Sequence, residues 1–199
     1  MTDVAIIDNG GANIASLRFA LDRLGAVSRL TTDPVELRHA RRVILPGVGA
    51  AADAMERLHA LDLVELIPTL TQPVLGICLG MQLLFESSEE GGTRCLGLIP
   101  GRVARIPDRA GLPVPHMGWN QMRVLQDSPL VQGLDAAAYV YFVHSYAAPV
   151  GPWTVAATDY GGEFSALVRE RNFHGAQFHP ERSSRPGSQL LKNFLELDA

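Results

Sequence analysis

Short apolar runs alternate with stretches whose apolar residues recur every three or four positions, and this alternation predicts the layout of the first half of the chain. Val4–Ile7 is an apolar run that stops at Asp8. The loop Asn9-Gly10-Gly11-Ala12-Asn13 follows, and then Leu17, Leu21 and Leu24 appear at helical spacing. Residues 43–45 read as a second strand, ended by Pro46-Gly47. Residues 50–66 are rich in alanine, with Met55, Leu58 and Leu61 on one stripe, and read as a helix. Residues 74–77 form a third apolar run, leading into a Leu/Met-rich helix over 79–86. Between 96 and 178 the pattern changes to strand-like runs at 102–106, 139–143, 153–157, 166–168 and 175–178, with Pro113 and Pro115 holding one stretch extended. A final helix is predicted over 189–197, with Leu190, Leu191, Phe194 and Leu195 on one face. Strands alternating with helices, then a strand-rich half, imply an α/β fold on a central mixed, mostly parallel sheet flanked by helices.

Composition narrows the function classes. A length of 199 residues suits one domain, 1–199, and leaves no room for a second substrate domain. With 47% hydrophobic and 19% charged residues the chain can bury a sizeable core. A net charge of −4 offers no basic surplus for phosphate backbones, so no nucleic-acid partner is expected. Two cysteines, Cys78 and Cys95, are too few for a disulfide scaffold and suit a reducing compartment. The N-terminus lacks a basic region, and its apolar run is too short for a signal peptide or a span. A cytoplasmic protein without a membrane partner is the expectation.

The strongest local signal is Gly76-Ile77-Cys78-Leu79-Gly80, placed where an apolar strand meets a helix. This is the layout of a nucleophile elbow, with cysteine in the place of serine. The sharp turn demands neighbours without bulk two positions away. A thiol at a helix start faces unpaired N–H groups that favour the thiolate, and the Leu79 N–H is free to donate to an oxyanion. Alone, the same pattern also fits a buried structural cysteine. Cys95, between Arg94 and Leu96 without such a turn, reads as a structural thiol.

A cysteine nucleophile needs a base, and the base needs an orienting group. His179-Pro180-Glu181 supplies both at a strand end. Pro180 biases His179 toward an extended conformation, in which residues two apart point the same way. His179 and Glu181 then face one site, the carboxylate setting the imidazole tautomer. Alone, this tripeptide also fits a surface turn. Of the other histidines, His39 and His59 fall on polar helix faces and read as solvated; His174 precedes a strand with no partner in view. No histidine or cysteine pair has metal-ligand spacing, so no metal and no cofactor are expected.

Taken together, Pro46-Gly47-Val48-Gly49, Gly76-Ile77-Cys78-Leu79-Gly80-Met81-Gln82 and Phe178-His179-Pro180-Glu181 resemble the class I, or triad, glutamine amidotransferases. Pro115-His116-Met117-Gly118-Trp119-Asn120 and Tyr141-Phe142-Val143-His144-Ser145-Tyr146 are similar, more narrowly, to the glutaminase subunits of imidazole glycerol phosphate synthases of histidine biosynthesis. The resemblance runs from the first strand to the last helix.

It implies that Cys78 attacks the glutamine side-chain carbonyl, with His179 and Glu181 completing the triad, and that Gly47, Val48 and Leu79 form the oxyanion site. Gln82, one helical turn past Cys78, and His144, Ser145 and Tyr146 are implied in substrate binding. His116 reads as a hydrogen bonder behind the site. The implied partner is a cyclase subunit, a (β/α)8 barrel forming a heterodimer with this chain, that receives ammonia through a tunnel. Ammonia freed into neutral water would become ammonium and cease to be a nucleophile. Asn13, Trp119, Tyr141 and Arg182 are the implied docking residues. The sequence departs from the family where Asn9 replaces an aromatic residue, Ala12 a glycine, Ala15 an arginine and Arg182 a lysine of different hydrogen-bonding geometry.

Overall fold

The computed structural model describes residues 3–10 and 14–198. Its strands are β1 (Val4–Ile7), β2 (Ser28–Thr31), β3 (Arg42–Gly47), β4 (Val74–Cys78), β5 (Phe85–Ser88), β6 (Thr93–Arg94), β7 (Ile99–Arg105), β8 (His116–Gln121), β9 (Arg123–Val124), β10 (Tyr139–His144), β11 (Tyr146–Ala147), β12 (Thr154–Asp159), β13 (Glu163–Glu170) and β14 (Phe173–Ala176). The α-helices are α1 (Ile14–Arg23), α2 (Pro34–His39), α3 (Ala51–Ala60), α4 (Leu79–Gln82) and α5 (Ser184–Glu196).

Eight strands form the main sheet in the order β2-β1-β3-β4-β14-β13-β12-β9. From β2 to β14 neighbouring strands run parallel; β13, β12 and β9 continue the sheet antiparallel. The sheet is therefore mixed, as expected. Its parallel part is covered on both faces, which is why β1 is apolar at every position. Val4 and Ile6 join the core beneath α1 and α5, with Leu17, Leu21, Leu190 and Phe194. Ala5 and Ile7 join the core beneath α2 and α3, with Leu37, Met55 and Leu58.

Several elements differ from their sequence-based expectation. The helix expected over 50–66 ends at Ala60. Asp62 takes φ 57°, and the Leu63 N–H bonds back to the Leu58 carbonyl at 2.9 Å, a left-handed cap that stops the helix without glycine. The helix expected over 79–86 is a single turn, because Phe85–Ser88 pairs with β6 and β7 instead. The last helix begins at Ser184 rather than 189, and β14 precedes the predicted run, with Gln177 and Phe178 beyond its end. Strand β8, unforeseen, pairs with β10 in a separate two-stranded ribbon. Among the described residues no helix is long and apolar enough to cross a membrane.

Candidate active site

The site lies at the C-terminal ends of β3, β4 and β14, where an open α/β sheet offers its crevice. Cys78 ends β4 at φ 54°, ψ −113°, and caps α4. The cost of this conformation is met by backbone packing around it. A Cβ on Gly80 would sit 1.8 Å from the Leu45 carbonyl oxygen, and one on Gly76 would sit 2.6 Å from the Gly80 oxygen. One on Gly47 would lie 2.7 Å from the Gly80 nitrogen. Three backbones therefore touch directly, and only glycine fits at these contacts.

His179 reaches the same place from β14. Its Nδ1 lies 2.8 Å from Glu181 Oε1, and both side chains are buried. His179 is extended as expected, at φ −96° and ψ 100°, but Pro180–Arg182 forms a 3₁₀ turn, so the pair meets across that turn. His179 is strapped to the ribbon: its N–H donates to the Tyr141 carbonyl at 3.0 Å, and the Tyr141 N–H donates to Ser183 Oγ at 2.9 Å. Ser183 Oγ in turn donates to the His179 carbonyl at 2.7 Å. The second imidazole nitrogen, Nε2, is buried with no other hydrogen-bond partner. Burial pulls the imidazole toward its neutral form, but hydrogen bonding and negative charge from Cys78 and Glu181 outweigh it and raise its pKa well above the ordinary value.

A cavity of about 400 Å³ opens above Cys78, lined by Val48, Gly49, Leu79, Gln82, His144, Ser145, Tyr146, His179, Glu181 and Arg182. Gly47 lies beside it, paired with Cys78 in the sheet. Gly49 has φ +90°, a backbone conformation that glycine adopts freely. Gln82 is buried, not solvated, and its Nε2 donates to the Tyr146 carbonyl at 2.8 Å and to Gln177 Oε1 at 3.0 Å. His144 borders the cavity, but its nitrogens bond to the Tyr146 carbonyl at 2.8 Å and to His116 at 3.0 Å.

Trp119 and Tyr141 lie on the ribbon's outer face with ring centroids 6.0 Å apart, and the Arg182 guanidinium covers the Tyr141 ring at 4.7 Å. Trp119 is 53% exposed and Met117 beside it 66%. Asn13 and Ala12 lie outside the described residues. Asn9 is buried, and its Nδ2 donates to the Pro46 carbonyl at 2.7 Å, tying it to the strand that leads into the Gly47-Val48-Gly49 loop. Ala15 is exposed on α1.

Sequence reasoning missed Gln177 and Glu90. Gln177 links Gln82 to Cys78, its Nε2 lying 3.9 Å from Sγ; it precedes the His-Pro-Glu motif by one residue, the only available cue. Glu90 borders the cavity, and its Oε2 accepts from the Ala51 N–H at 2.8 Å; no local pattern marks it. His174 lies inside β14, buried, with its pKa lowered to about 4 by burial and Arg169. Burial pushes the Cys95 thiol up to about 11, which leaves it protonated and unreactive. Among the described residues no group of three His, Cys, Asp or Glu side chains could hold a metal ion.

A strained cysteine at a strand-to-helix turn, with a buried His–Glu pair on the same cavity, is the arrangement expected of a cysteine amidohydrolase on an α/β sheet. Residues 5–197 match the family described as Glutamine amidotransferase class-I, and the chain belongs to that family. It is 57% identical over 197 residues to the imidazole glycerol phosphate synthase subunit HisH of Xanthomonas axonopodis pv. citri, covering 99% of this chain and 98% of the relative. To the subunit of the same name from Xylella fastidiosa it is 55% identical over 199 residues, covering 100% of both. Solved structures share the fold. One glutamine amidotransferase matches with TM-score 0.75 at 19% identity, covering 98% of this chain and 97% of its own. Another, from Thermotoga maritima, matches with TM-score 0.64 at 18% identity, covering 93% and 78%.

Proposed function

We propose that this chain, as a single glutamine amidotransferase domain, is the glutaminase subunit of an imidazole glycerol phosphate synthase in histidine biosynthesis. The observation that carries the chemistry is the convergence of Cys78, at φ 54°, with the 2.8 Å His179–Glu181 pair on one cavity. Cys78 Sγ attacks the side-chain carbonyl of glutamine as His179 takes the thiol proton, and the C–N bond breaks as His179 passes that proton to the departing ammonia. The glutamyl thioester is then cleaved by a water that His179 deprotonates, yielding glutamate and the free thiol. The Leu79 N–H and an N–H of the Gly47–Val48 segment hold the oxyanion in both steps. Gln82 and Glu90 bind the amino-acid end of glutamine, Glu90 through the positive α-ammonium, with backbone groups of His144, Ser145 and Tyr146 beside it.

Ammonia then passes to a cyclase subunit with a (β/α)8 barrel, docked on the face that carries Trp119, Tyr141 and Arg182; Asn13 is the further docking residue that the family resemblance implies. The exposed aromatic face beside the cavity supports this reading. The two unpaired thiols suit the reducing cytoplasm. The isolated chain hydrolyses glutamine poorly, because the Gly47–Gly49 loop aims its N–H at the oxyanion only when the partner is loaded. The test is glutamine hydrolysis by the purified chain, alone and with the cyclase and its ribulose-phosphate aminoimidazole ligand, with Cys78→Ala as control. Strong stimulation that vanishes in Cys78→Ala is expected. Full activity without the partner would point to a stand-alone hydrolase, and activity independent of Cys78 would overturn the mechanism.

A further inference from the structure

Behind the cavity, the inner face of the β8–β10 ribbon carries a line of hydrogen bonds that the chemistry above does not use. It can be oriented atom by atom. The Tyr146 carbonyl accepts from His144 Nδ1 at 2.8 Å. A carbonyl cannot donate, so His144 carries its proton on Nδ1 and leaves Nε2 a bare acceptor. That acceptor lies 3.0 Å from His116 Nδ1, which must therefore donate. His116 Nε2 is then bare as well, and it faces Asn120 Nδ2 at 3.3 Å. The Asn120 amide is oriented independently: its Nδ2 donates to the Asp159 carbonyl at 2.9 Å, and its Oδ1 accepts from the Gln121 N–H at 2.7 Å. Both ends of the line thus demand the same polarity.

The rings are held for it. His116 is stacked between Tyr160 and Phe142, with centroids at 4.0 and 4.8 Å. Burial lowers the pKa of His116 to about 4 and that of His144 to about 3, so both rings are neutral, as a one-directional line requires. At its far end the Tyr146 carbonyl also holds Gln82 Nε2, whose other hydrogen goes to Gln177 Oε1. Gln82 Oε1 is the polar atom left for the cavity.

We propose that Asn120, His116 and His144 are positioning residues for glutamine, their hydrogen bonds locking the Tyr146 carbonyl and through it the Gln82 amide in the orientation that presents Oε1 to the substrate. The inference rests on the glutaminase reading and deepens it. Were His144 to take the opposite tautomer, its bare Nδ1 would face the Tyr146 oxygen lone pair to lone pair, and the segment anchoring Gln82 would have to move. Neutral imidazoles in water favour the Nε2–H form, so two consecutive Nδ1–H rings are a signature of the line.

The first arm of the test needs no variant. Two-bond ¹⁵N–¹H correlation spectra of ¹⁵N-histidine-labelled wild-type protein at neutral pH, in complex with its partner, are expected to show His116 and His144 as neutral Nδ1–H tautomers. An Nε2–H tautomer or an imidazolium at either ring overturns the proposal. The second arm is kinetic, in the same complex. His116→Leu removes the donor to His144 and is expected to raise KM for glutamine about five- to tenfold, the scale of one lost buried hydrogen bond, with a smaller change in kcat. His116→Asn, whose amide can stand in for Nδ1–H, is expected to recover most of that loss. Alkylation of Cys78 by iodoacetamide without glutamine should proceed in His116→Leu within about twofold of wild type, since the elbow is held separately. An unchanged KM in His116→Leu, with turnover still dependent on Cys78, overturns the positioning role and leaves the glutaminase reading intact. Wild-type turnover independent of Cys78 overturns that reading instead.

Discussion

Two regions meet at the cavity and are built on opposite plans. The elbow, where β3, β4 and α4 converge, is held by backbone against backbone: Gly47, Gly76 and Gly80 bring main chains to contact distance and force Cys78 into its positive-φ conformation. The β8–β10 ribbon lies outside the main sheet and is held to its surroundings by side chains and single hydrogen bonds: Tyr141 N–H to Ser183, His179 N–H to Tyr141, Asn120 to the Asp159 carbonyl on β12. Cys78 is thus placed by sterics, which allow almost no adjustment. His179 and Gln82 are placed by polar contacts, which depend on protonation and on what sits against the ribbon's exposed outer face.

The largest test of this contrast is acid. His116, His144 and His174 all have folded-state pKa values below the ordinary histidine value, so the unfolded chain binds more protons. The stability they contribute is complete above about pH 6.5 and is lost as pH falls through the folded values, about 4 for His116 and His174 and about 3 for His144. Two of the three, His116 and His144, lie on the ribbon, while His174 lies on β14 beside β4, so amide hydrogen exchange at pH 5 should open β8 and β10 before the elbow strands β3 and β4; simultaneous opening would remove the distinction. Next in size, Glu181→Gln should lower the partner-activated turnover roughly 10²- to 10⁴-fold, because the amide no longer fixes the imidazole tautomer or stabilises its charge. Steady-state kinetics at saturating glutamine would show it.

Gly80→Ala attacks the elbow directly. Its Cβ would press on the Leu45 carbonyl, and urea unfolding should show a loss of about 3 kcal/mol or more, with the ribbon amides as protected as before relative to the remaining stability. Ser183→Ala is the smallest change. It leaves the buried Tyr141 N–H without its acceptor, which should cost about 1–2 kcal/mol, and loosens the strap on His179. Turnover should fall more than the iodoacetamide reactivity of Cys78. If both fell together, ribbon and elbow would be one unit.

Much of the site was legible because its signals are local. Glycines two positions either side of Cys78, and a proline after His179, are steric statements that hold wherever the segment packs. Gln82 lines the cavity for a similar reason: a one-turn spacing from Cys78 survives even though the helix carrying it is a single turn. The expectation of a longer helix there failed because residues 85–88, Phe-Glu-Ser-Ser and ambiguous by themselves, gain more from pairing with β6 and β7 than from continuing α4. Strand β8 was missed because its alternation is inverted: apolar Met117 and Trp119 take exposed positions and polar His116 a buried one, an arrangement set only when β10 lies beside them.

The chain by itself determined the alternating α/β plan, the elbow around Cys78 and the His179–Glu181 pairing. Each depends on the conformational limits of a few consecutive residues. Only the tertiary structure decided that Gln177 bridges Gln82 to Cys78, that Asn9 is tied to Pro46, and that His116 and His144 are neutral links in one directed line. Those facts join residues far apart in sequence. Their protonation and orientation follow from burial and from which carbonyl happens to face which nitrogen, quantities that exist only once the sheet, the ribbon and the loop at Tyr146 have been brought together.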